Sequence, residues 1–545
     1  MSDYIPLRSP LSNMSFTPDV PSNALGPSEY NSGKNVETDV RGIKKIYGEN
    51  YALSAIPGHV IFIDGGFRNG SWVYIVATRE GVWYMVTSSG ISNITPGVGA
   101  NPSVTLSGYS DDTRITASWV GSVFFINDQL RPPMYFGVYY QSGGAQTEIA
   151  IYGTGPDNFV WNYESGLSPA VNSVTAGFVR NYSSPNLGNL LVAGNLTKAY
   201  STGVTVNYPT TIRWSQQFPI TGVPTTWQPT LSNVANEQEV NVRGPLIDGF
   251  FIGGSFYVCS YWDTVVLAPL NYQNSSAPVF AVKQFCQGRG LINQNAWCQA
   301  DTVVYGVDSR DIWMFDGTNF TPLGNQTVKN YFYNNLNSAY VDRIFMVNNT
   351  QKYQMELYYP DLTSTGWCNK MLSYRYDLQV WNAPKDVQNA CNGCEGPYYS
   401  GSFNNALRTV VYAQGSVSSS QIIQTNTGNS FCGNTIDALF QRDNIELITP
   451  DGPVPFSSKV YIHRLLPEIS GSGVVTVTVG GANSTAQTPV FGQTGTMTIN
   501  TDSPWVTTQQ NTVRTVSLKI ETNDSTSTWN ATAINWQATI TEDAF

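Results

Sequence analysis

One pair of cysteines stands at a spacing that suits metal or redox chemistry. Cys391 and Cys394 form a Cys-x-x-Cys motif, the spacing with which two thiolates ligate zinc or close a local disulfide. Cys368 and Cys432 are conceivable distant partners, but neither a second pair nor a nearby histidine accompanies the motif. Because only seven cysteines are scattered over 545 residues, we expect reduced, mostly buried thiols, and neither a metal nor a cofactor. A zinc site and a local disulfide are the alternatives.

Two histidines, His59 and His463, are available for acid–base chemistry. A Ser-His-Asp triad can draw its members from anywhere in a sequence, but no Gly-x-Ser-x-Gly elbow is present. A glycosidase needs two carboxylates facing each other across a cleft. The sequence lacks the repeated Ser-x-Asp-x-Gly-x-Thr-Trp boxes of sialidase-type propellers, and we interpret the acidic segments 308–311 and 316–317 as hairpin turns. We therefore expect structural histidines and no enzymatic activity.

The charge composition argues against tight binding of nucleic acid. The chain has 28 basic and 38 acidic residues, and its net charge is -10. Sequence-independent DNA binding depends on basic side chains that neutralise phosphates. The densest basic segment, Arg41-Gly-Ile-Lys-Lys45, has only three cations and is interpreted as a solvated turn. The N-terminal residues lack the basic and apolar regions of a secretion signal, which indicates a cytoplasmic start.

The elements that position these residues are expected to be β-strands. Charged residues make up 12% of the chain and aromatic residues 13%, a composition typical of short strands joined by tight turns. Three consecutive runs between 249 and 267 predict a meander, and 302–307 with 311–315 predict a hairpin. Such units recur across 46–430 at irregular spacing. We therefore predict an all-β chain with a β-propeller of six or seven irregular blades. Two or three stacked sandwiches are the structural alternative.

The remaining segments predict four further features. Residues 1–45 are rich in Pro, Ser and Asn without apolar periodicity, and are predicted to be an irregular arm that becomes ordered on a neighbour. Residues 137–172 and 384–400 are interpreted as loop insertions between strand pairs. Residues 326–336 could form a connecting helix of three turns. In 431–545, apolar and polar residues alternate with a period of two, which predicts a separate antiparallel β platform domain for docking and oligomer contacts.

Several motifs, taken in their order along the chain, resemble one family. The central motif runs from Trp297-Cys-Gln-Ala-Asp-Thr-Val-Val-Tyr-Gly-Val to Asp311-Ile-Trp-Met-Phe-Asp-Gly317. The others are Phe320-Thr-Pro-Leu-Gly-Asn-Gln, Ile212-Arg-Trp-Ser-Gln-Gln217, Pro224-Thr-Thr-Trp227, Gly244-Pro-Leu-Ile-Asp-Gly-Phe-Phe-Ile252, Arg41-Gly-Ile, and Arg514-Thr-Val-Ser-Leu-Lys-Ile520 with Trp529. Each is mainly a strand and a turn. Together they resemble the tail nozzle, or tail tubular protein B-like, family of short-tailed bacteriophages (podoviruses).

The resemblance implies a role in the virion. It implies a propeller, a platform that docks on a tail adaptor protein, and a homohexamer around a channel for double-stranded DNA. The expected function is structural: the hexameric tube retains the viral genome and then conducts it into the host, without sequence-specific contacts. Tail fibres or tailspikes and the host surface are further expected partners. Localisation is expected in the virion tail, after assembly in the host cytoplasm. The alternative is a propeller tail protein that binds carbohydrate or a host receptor.

Overall fold

The structure is a computed structural model that describes residues 5–95, 108–140, 146–152, 169–270 and 279–542, with short gaps at 186, 221, 416–417, 446, 450–451, 456, 485–486, 501–504 and 508–511. Strands dominate these residues. Their single α-helix, α1 (Lys329–Asn335), has about two turns, which is shorter than the three turns considered for 326–336. Three short 3-10 helices are Ser22–Ala24, Ser338–Arg343 and Thr350–Lys352. None of the helices described is both long and apolar enough for a bilayer crossing.

The N-terminal residues form eight strands. These are β1 (Ile5–Pro10), β2 (Ser15–Phe16), β3 (Glu29–Tyr30), β4 (Ser32–Lys34), β5 (Val36–Asp39), β6 (Gly42–Lys45), β7 (Glu49–Tyr51) and β8 (Ile56–Pro57). The prediction of an irregular arm is therefore wrong for residues 5–45. Leu7, Leu11 and Phe16 of this segment are buried in the core of the same chain. Their partners lie hundreds of residues away, and such non-local pairing leaves no local period in the sequence.

Five four-stranded antiparallel sheets and one eight-stranded sheet follow within the described residues. We divide the eight-stranded sheet where β31 pairs with β33, which gives seven blades, called blades 1 to 7. Blade 1 has β9 (Val60–Arg68), β10 (Ser71–Thr78), β11 (Trp83–Thr87) and β12 (Gly90–Asn93). Blade 2 has β13 (Thr116–Val120), β14 (Val123–Asn127), β15 (Met134–Tyr140) and β16 (Gln146–Tyr152). Blade 3 has β17 (Val171–Ser184), β18 (Gly188–Tyr200), β19 (Thr205–Trp214) and β20 (Asn236–Glu239), and blade 4 has β21 (Leu246–Ile252), β22 (Ser255–Ser260), β23 (Asp263–Pro269) and β24 (Phe280–Gln287). Blade 5 has β25 (Trp297–Ala300), β26 (Val303–Val307), β27 (Ile312–Phe315) and β28 (Phe320–Pro322), and blade 6 has β29 (Phe345–Asn349), β30 (Gln354–Tyr359), β31 (Cys368–Arg375) and β32 (Val380–Trp381). Blade 7 has β33 (Lys385–Tyr399), β34 (Phe403–Gln414), β36 (Ile422–Thr425) and the N-terminal β7. The short strand β35 (Ser419–Ser420) pairs with β8.

The first strands of the seven blades form a closed ring. Strands β13, β17 and β21 contact one another in sequence, and so do β25, β29, β33 and β9. The other two junctions are side-chain contacts: the Trp119 ring of β13 lies against Gly66 of β9, and Trp297 of β25 donates a hydrogen bond to Asp248 of β21. This part of the chain is therefore a β-propeller with seven blades, and the alternative of stacked sandwiches is wrong.

Blade 7 is completed by a strand from the beginning of the chain. Strand β7 pairs antiparallel with β36, placing Tyr51 opposite Ile423 and Glu49 opposite Thr425. A propeller closed in this way leaves no gap between its first and last blades. The interpretation of 384–400 as an insertion is wrong, because these residues form β33. Of the insertion expected at 137–172, residues 137–140 and 146–152 are strand, whereas 153–168 lie outside the described residues.

Tight turns define the hairpins within the blades. Gly253 and Gly254, between β21 and β22, have φ values of +59° and +83°. A two-residue turn with two positive φ angles matches the twist of paired strands, and glycine adopts it without steric cost. The meander predicted at 249–267 and the hairpin turns predicted at 308–311 and 316–317 are confirmed.

The remaining strands form the platform together with β1, β4, β5 and β6. They are β37 (Ile436–Ile445), β38 (Ile448–Thr449), β39 (Gly452–Pro453), β40 (Ser458–Ser472), β41 (Val474–Ala482), β42 (Val490–Thr498), β43 (Val506–Thr507), β44 (Thr515–Asp524) and β45 (Thr528–Glu542). One sheet has the order β43-β40-β45-β6-β5 with β1 also on β45, and the other has the order β4-β37-β44-β41-β42. Val475, Val477 and Val479 are fully buried on alternate positions of β41. The antiparallel strands predicted for 431–545 are confirmed, and the docking and oligomer contacts expected of them stay a prediction.

The platform and the propeller share one apolar core. A single cluster of buried residues contains Trp536 of the platform, Phe16 of the N-terminal segment, and Val307 and Tyr359 of blades 5 and 6. Two domains joined only by a linker would have separate cores. The N-terminal strands lie between the two parts and fix one against the other.

Candidate functional site

The cysteine motif lies on one strand of the propeller. Cys391 and Cys394 both belong to β33, and all seven cysteines of the chain are free thiols, so the alternative of a local disulfide is wrong. Burial raises the pKa of Cys391 to about 12 and that of Cys394 well above its ordinary value. Metal ligation needs thiolates, which such burial disfavours. Among the described residues, no cluster of three or more His, Cys, Asp or Glu side chains could hold a metal ion.

The two histidines belong to different parts of the fold. Nδ1 of His59, just before blade 1, lies 2.5 Å from Oε1 of Glu80, and the His59 backbone N–H donates to the same carboxylate. Burial alone would raise the pKa of Glu80, but these hydrogen bonds lower it. Nε2 of His463, on β40 of the platform, lies 2.7 Å from Oγ1 of Thr539. The structure does not bring the histidines together at one site.

The residues that the fold does bring together lie at the propeller axis. The first strands of blades 1, 2, 3, 6 and 7, with the residues that begin blade 5, line a cavity of about 160 Å³. The lining includes Asp64, Arg180, Asn295, Trp297 and Asn392. Ligand pockets usually have volumes of roughly 300–1,000 Å³. The axial cavity is therefore large enough for a few water molecules but smaller than a usual ligand pocket.

Arg180 organises the axis. From β17 of blade 3 it donates two hydrogen bonds to the Asp248 carboxylate of blade 4, at 2.8 Å from Nε and 2.5 Å from Nη2. Its Nη2 also donates to Oδ1 of Asn295 at 2.8 Å, and its Nη1 donates to the Ala117 carbonyl of blade 2 at 2.8 Å. One guanidinium thus connects four consecutive blades. A planar guanidinium suits this task, because its donors are fixed in a fork that fits a carboxylate.

Asp248 is the second centre of the network and is completely buried. The Trp297 indole donates to Asp248 Oδ2 at 2.8 Å, and the Trp297 ring lies 5.2 Å from the Arg180 guanidinium carbon. Asn295, whose φ is +66°, directs its backbone N–H to the same oxygen at 3.3 Å. A buried carboxylate is stable only when paired and hydrogen-bonded, and Asp248 has both kinds of partner.

Asp64 occupies the matching position of blade 1 but has no salt bridge with any of the described residues. In Phe62-Ile-Asp-Gly-Gly-Phe67 and in Leu246-Ile-Asp-Gly-Phe-Phe251, the aspartate accepts a hydrogen bond from the next glycine N–H at 2.8 Å. Burial raises the pKa of Asp64 to about 6, although the Gly65 N–H and the Arg180 charge act in the opposite direction. Protein surrounds Asp64, yet the axial cavity keeps part of its surface accessible to solvent.

A second group of buried charges joins the propeller to the platform. Glu37 of β5 lies 2.7 Å from the Lys352 ammonium of blade 6 and 3.3 Å from that of Lys44 in β6. Burial opposes ionisation of Glu37, but the two lysines lower its pKa to about 2. The interpretation of Arg41–Lys45 as a solvated turn is wrong, because Gly42–Lys45 is β6 and its two lysines form ion pairs.

The closing strand of blade 7 is held by a similar pair. Glu49 of β7 is fully buried, and its Oε1 lies 2.7 Å from the Lys385 ammonium of β33. The Tyr412 hydroxyl of β34 donates to Glu49 Oε2 at 2.5 Å. One N-terminal side chain thus contacts both of the first two strands of blade 7. These contacts serve to hold the ring together.

Comparisons with known proteins add no family. No family model and no curated protein matches the sequence. Among solved structures, Sqt1 of Saccharomyces cerevisiae is similar at a TM-score of 0.37 and 12% identity, over 69% of this chain and 99% of that chain. BBS1N in complex with ARL6DN is similar at a TM-score of 0.35 and 8% identity, over 70% of this chain and 97% of that chain. These similarities are too weak to support an argument about function, so the assignment of the propeller rests on the ring of first strands.

The axial residues were missed by the sequence analysis, although a signal for them exists. The tripeptide Ile-Asp-Gly occurs twice, at 63–65 and 247–249, each time after an apolar run. An aspartate inside a buried strand must be compensated by a partner, and its repetition in two blades indicates a shared position. Arg180, Asn295 and Trp297 have no comparable signal, because only the closed ring brings them to Asp248.

Proposed function

We propose that this chain is a structural subunit of the tail nozzle of a short-tailed bacteriophage. Six copies form a tube that retains the viral genome and then conducts it into the host. The observation that carries the proposal is the narrow propeller axis, where Arg180 connects four blades beside a cavity of about 160 Å³. The order of sequence motifs that resemble the nozzle family supports the same assignment.

The shared core supports a mechanical role. Because the platform and the propeller are packed on the same buried cluster, a force applied to one is transmitted to the other. A wall that surrounds pressurised DNA needs this rigidity. The acidic groups at the axis and at the junction hold strands together, and we propose that none of them acts as a catalyst.

An uncharged sheet edge supports assembly with other copies. Strand β42 is the last strand of its sheet, pairs with β41 alone within the described residues, and contains no charged residue. Monomeric proteins usually protect such an edge with charges, proline or a bulge. We propose that a neighbouring copy covers this edge, as closed rings are built from repeated head-to-tail contacts.

DNA passes between the copies in this proposal. The axial cavity of one propeller is far too narrow for a duplex, so the channel lies at the centre of the ring of subunits. Duplex DNA carries roughly one negative charge per 1.7 Å of axis, and a basic wall would hold it by many contacts. A chain with a net charge of -10 provides a wall that releases it. The platform docks on the tail adaptor, and fibres or tailspikes and the host surface are further partners in the virion.

Electron microscopy of the purified full-length chain tests the proposal. We expect ring-shaped particles with six-fold symmetry in negative stain and a mass six times that of the chain by light scattering. Replacing two exposed threonines of the edge, Thr494→Lys with Thr496→Lys, should prevent ring formation. The same added charge at two exposed turn residues, Ser201→Lys with Thr202→Lys, is the matched control and should leave the rings intact.

Other outcomes contradict the proposal in specific ways. A stable monomer or trimer with saturable glycan binding would support the alternative, a tail protein that recognises carbohydrate. A six-fold ring whose lumen is lined by lysine and arginine, or assembled tails that retain DNA through those residues, would contradict the release mechanism.

A further inference from the structure

A cleft lies between blades 4 and 5 and is here called the blade 4–5 cleft. Its volume is about 600 Å³, within the range of usual ligand pockets. Three cations, Arg289, Arg310 and Lys329, converge on it, together with the Asp311 carboxylate and the partly buried rings of Phe285 and Phe320. This density of cations is unusual in a chain with ten more acidic than basic residues.

The cations are positioned by rigid elements. Asp308, which is buried, accepts hydrogen bonds from the backbone N–H groups of Arg310 at 2.6 Å and Asp311 at 2.9 Å. The same carboxylate accepts from Arg289 Nη1 at 3.1 Å. One buried aspartate therefore fixes the turn that carries Arg310 and also orients Arg289.

Lys329 is held by a different part of the chain. It begins α1, and the Asp19 carboxylate accepts hydrogen bonds from the next two backbone N–H groups, at 2.6 Å from Asn330 and 2.8 Å from Tyr331. The N-terminal segment thus fixes the helix that presents Lys329 to the cleft. Preorganised groups lose little entropy on binding, which favours a binding site over freely moving surface charges.

Two of the cations lack an ion-pair partner. Within the described residues, neither Arg310 nor Lys329 forms a salt bridge, whereas Arg289 is paired with Asp308. Gly288, with a φ of +86°, brings its backbone close to Arg310; a Cβ at this position would lie 3.1 Å from Nη1. Two cations without ion pairs that line one cleft favour an anion placed there, because opposite charges attract.

We propose that the blade 4–5 cleft binds an anionic group, a carboxylate or a phosphate, of a small hydroxyl-bearing ligand. Arg310 and Lys329 contact the anionic group. Arg289, which also lines the cleft and is paired with Asp308, adds positive charge. Asp311, at the base of the cleft, accepts a hydrogen bond from a hydroxyl of the ligand. Burial raises the pKa of Asp311.

Calorimetric titration of the full-length chain with three probes tests the proposal. Inorganic phosphate represents the phosphate source, glucuronate the carboxylate source, and glucose is the neutral control. We expect saturable binding of phosphate, glucuronate or both at roughly millimolar concentration and much weaker binding of glucose. Phosphate alone identifies a phosphorylated ligand, and glucuronate alone identifies an acidic sugar. Binding of neither anion, or equal binding of glucose, would overturn the proposal.

Variants of the cleft residues test where the anion binds, because some should weaken the binding and one should strengthen it. Arg310→Gln and Lys329→Gln should each weaken anion binding by about tenfold, which corresponds to about 1.4 kcal/mol. Lys283→Gln removes an exposed cation from the same strand as Phe285 and should leave the affinity unchanged. Asp311→Asn should strengthen phosphate binding, because it removes a like charge from the cleft. Unchanged affinity in both cation variants, with the fold intact by circular dichroism, would reject this site.

Discussion

Asp64 and Asp248 occupy matching positions in the first strands of blades 1 and 4, yet only Asp248 is paired with an arginine. Each follows isoleucine, precedes glycine and accepts that glycine's N–H at 2.8 Å. The Arg180 guanidinium lies 2.5 Å from Asp248, while burial without a salt bridge raises the pKa of Asp64 to about 6. The aspartate of the same tripeptide is therefore ion-paired in blade 4, whereas in blade 1 its burial raises its pKa.

The first prediction concerns Asp64. Its pKa in the folded protein, about 6, exceeds the reference value of 3.8, so the folded state holds the proton more tightly and stability falls as the pH rises from 3.8 through 6. Asp64→Asn should therefore increase the free energy of unfolding above about pH 7, by up to about 3 kcal/mol. Below the reference value the two proteins should be equally stable. Urea unfolding at several pH values measures this, and a variant that is less stable at neutral pH would contradict the prediction.

The second prediction concerns the Arg180–Asp248 pair. Arg180→Met leaves a buried carboxylate unpaired, which should lower the free energy of unfolding by about 3–5 kcal/mol. Arg8→Met, which removes an exposed ion pair with Glu468, is the control and should unfold almost like the wild type. Thermal unfolding followed by circular dichroism compares them. If both variants lost the same stability, the axial network would have no special role.

The third prediction concerns the stability of the protein at acidic pH. The pKa of Glu37 is lowered to about 2 from 4.5, so its ion pairs contribute fully above the reference value and are lost as the pH falls from 4.5 through 2. Burial lowers the pKa of Lys352 despite the Glu37 charge, so the net contribution is smaller than the roughly 3 kcal/mol that Glu37 alone implies. Glu37→Gln should destabilise the protein at neutral pH. Its free energy of unfolding should also change less between pH 4.5 and about 2 than that of the wild type. An unchanged acid profile in this variant would refute the assignment.

The fourth prediction concerns the connection between the platform and blade 7. A Cβ at Gly48 would lie 2.1 Å from the Ser430 carbonyl oxygen, so Gly48→Ala must displace the segment that leads into β7. We expect a loss of about 1–3 kcal/mol and faster amide exchange in β36, the partner of β7. Gly137→Ala is the control, because its Cβ would meet only ordinary contacts of 3.5 Å or more. Equal exchange of β36 in both variants would show that Gly48 does not control the closure.

The sequence predicted the local parts of this fold because their signals are local. Apolar runs with Gly or Asp turns identified the meander of blade 4 and the hairpin of blade 5, and the alternation at 474–480 identified β41. Strand β7 has no such signal. Its three residues, Glu49 to Tyr51, are mostly polar, and only their partner β36 makes them a strand. The closure of the ring was therefore not predictable from pattern alone.

The candidate sites, too, were predictable only where their sequence signals are local. The turn at 308–311 was predicted, but the convergence of Arg289, Arg310 and Lys329 depends on the packing of blade 5 against blade 4 and on Asp19 at the start of α1. The Cys-x-x-Cys motif gave the opposite result: its spacing was suggestive, yet both thiols pack against one apolar cluster, where burial raises their pKa. Spacing identifies a site only when the element that carries it exposes both residues to a common space.

The pairing of β1 with β45 has a consequence for synthesis of the chain. Leu7 and Trp536 stand opposite each other, so β1 is synthesised long before its partner strand. During translation the apolar residues of the N-terminal segment have no partner and depend on chaperones or on transient contacts to avoid aggregation. A product that ends before β45 therefore leaves β1 without its partner strand and should be prone to aggregation and degradation.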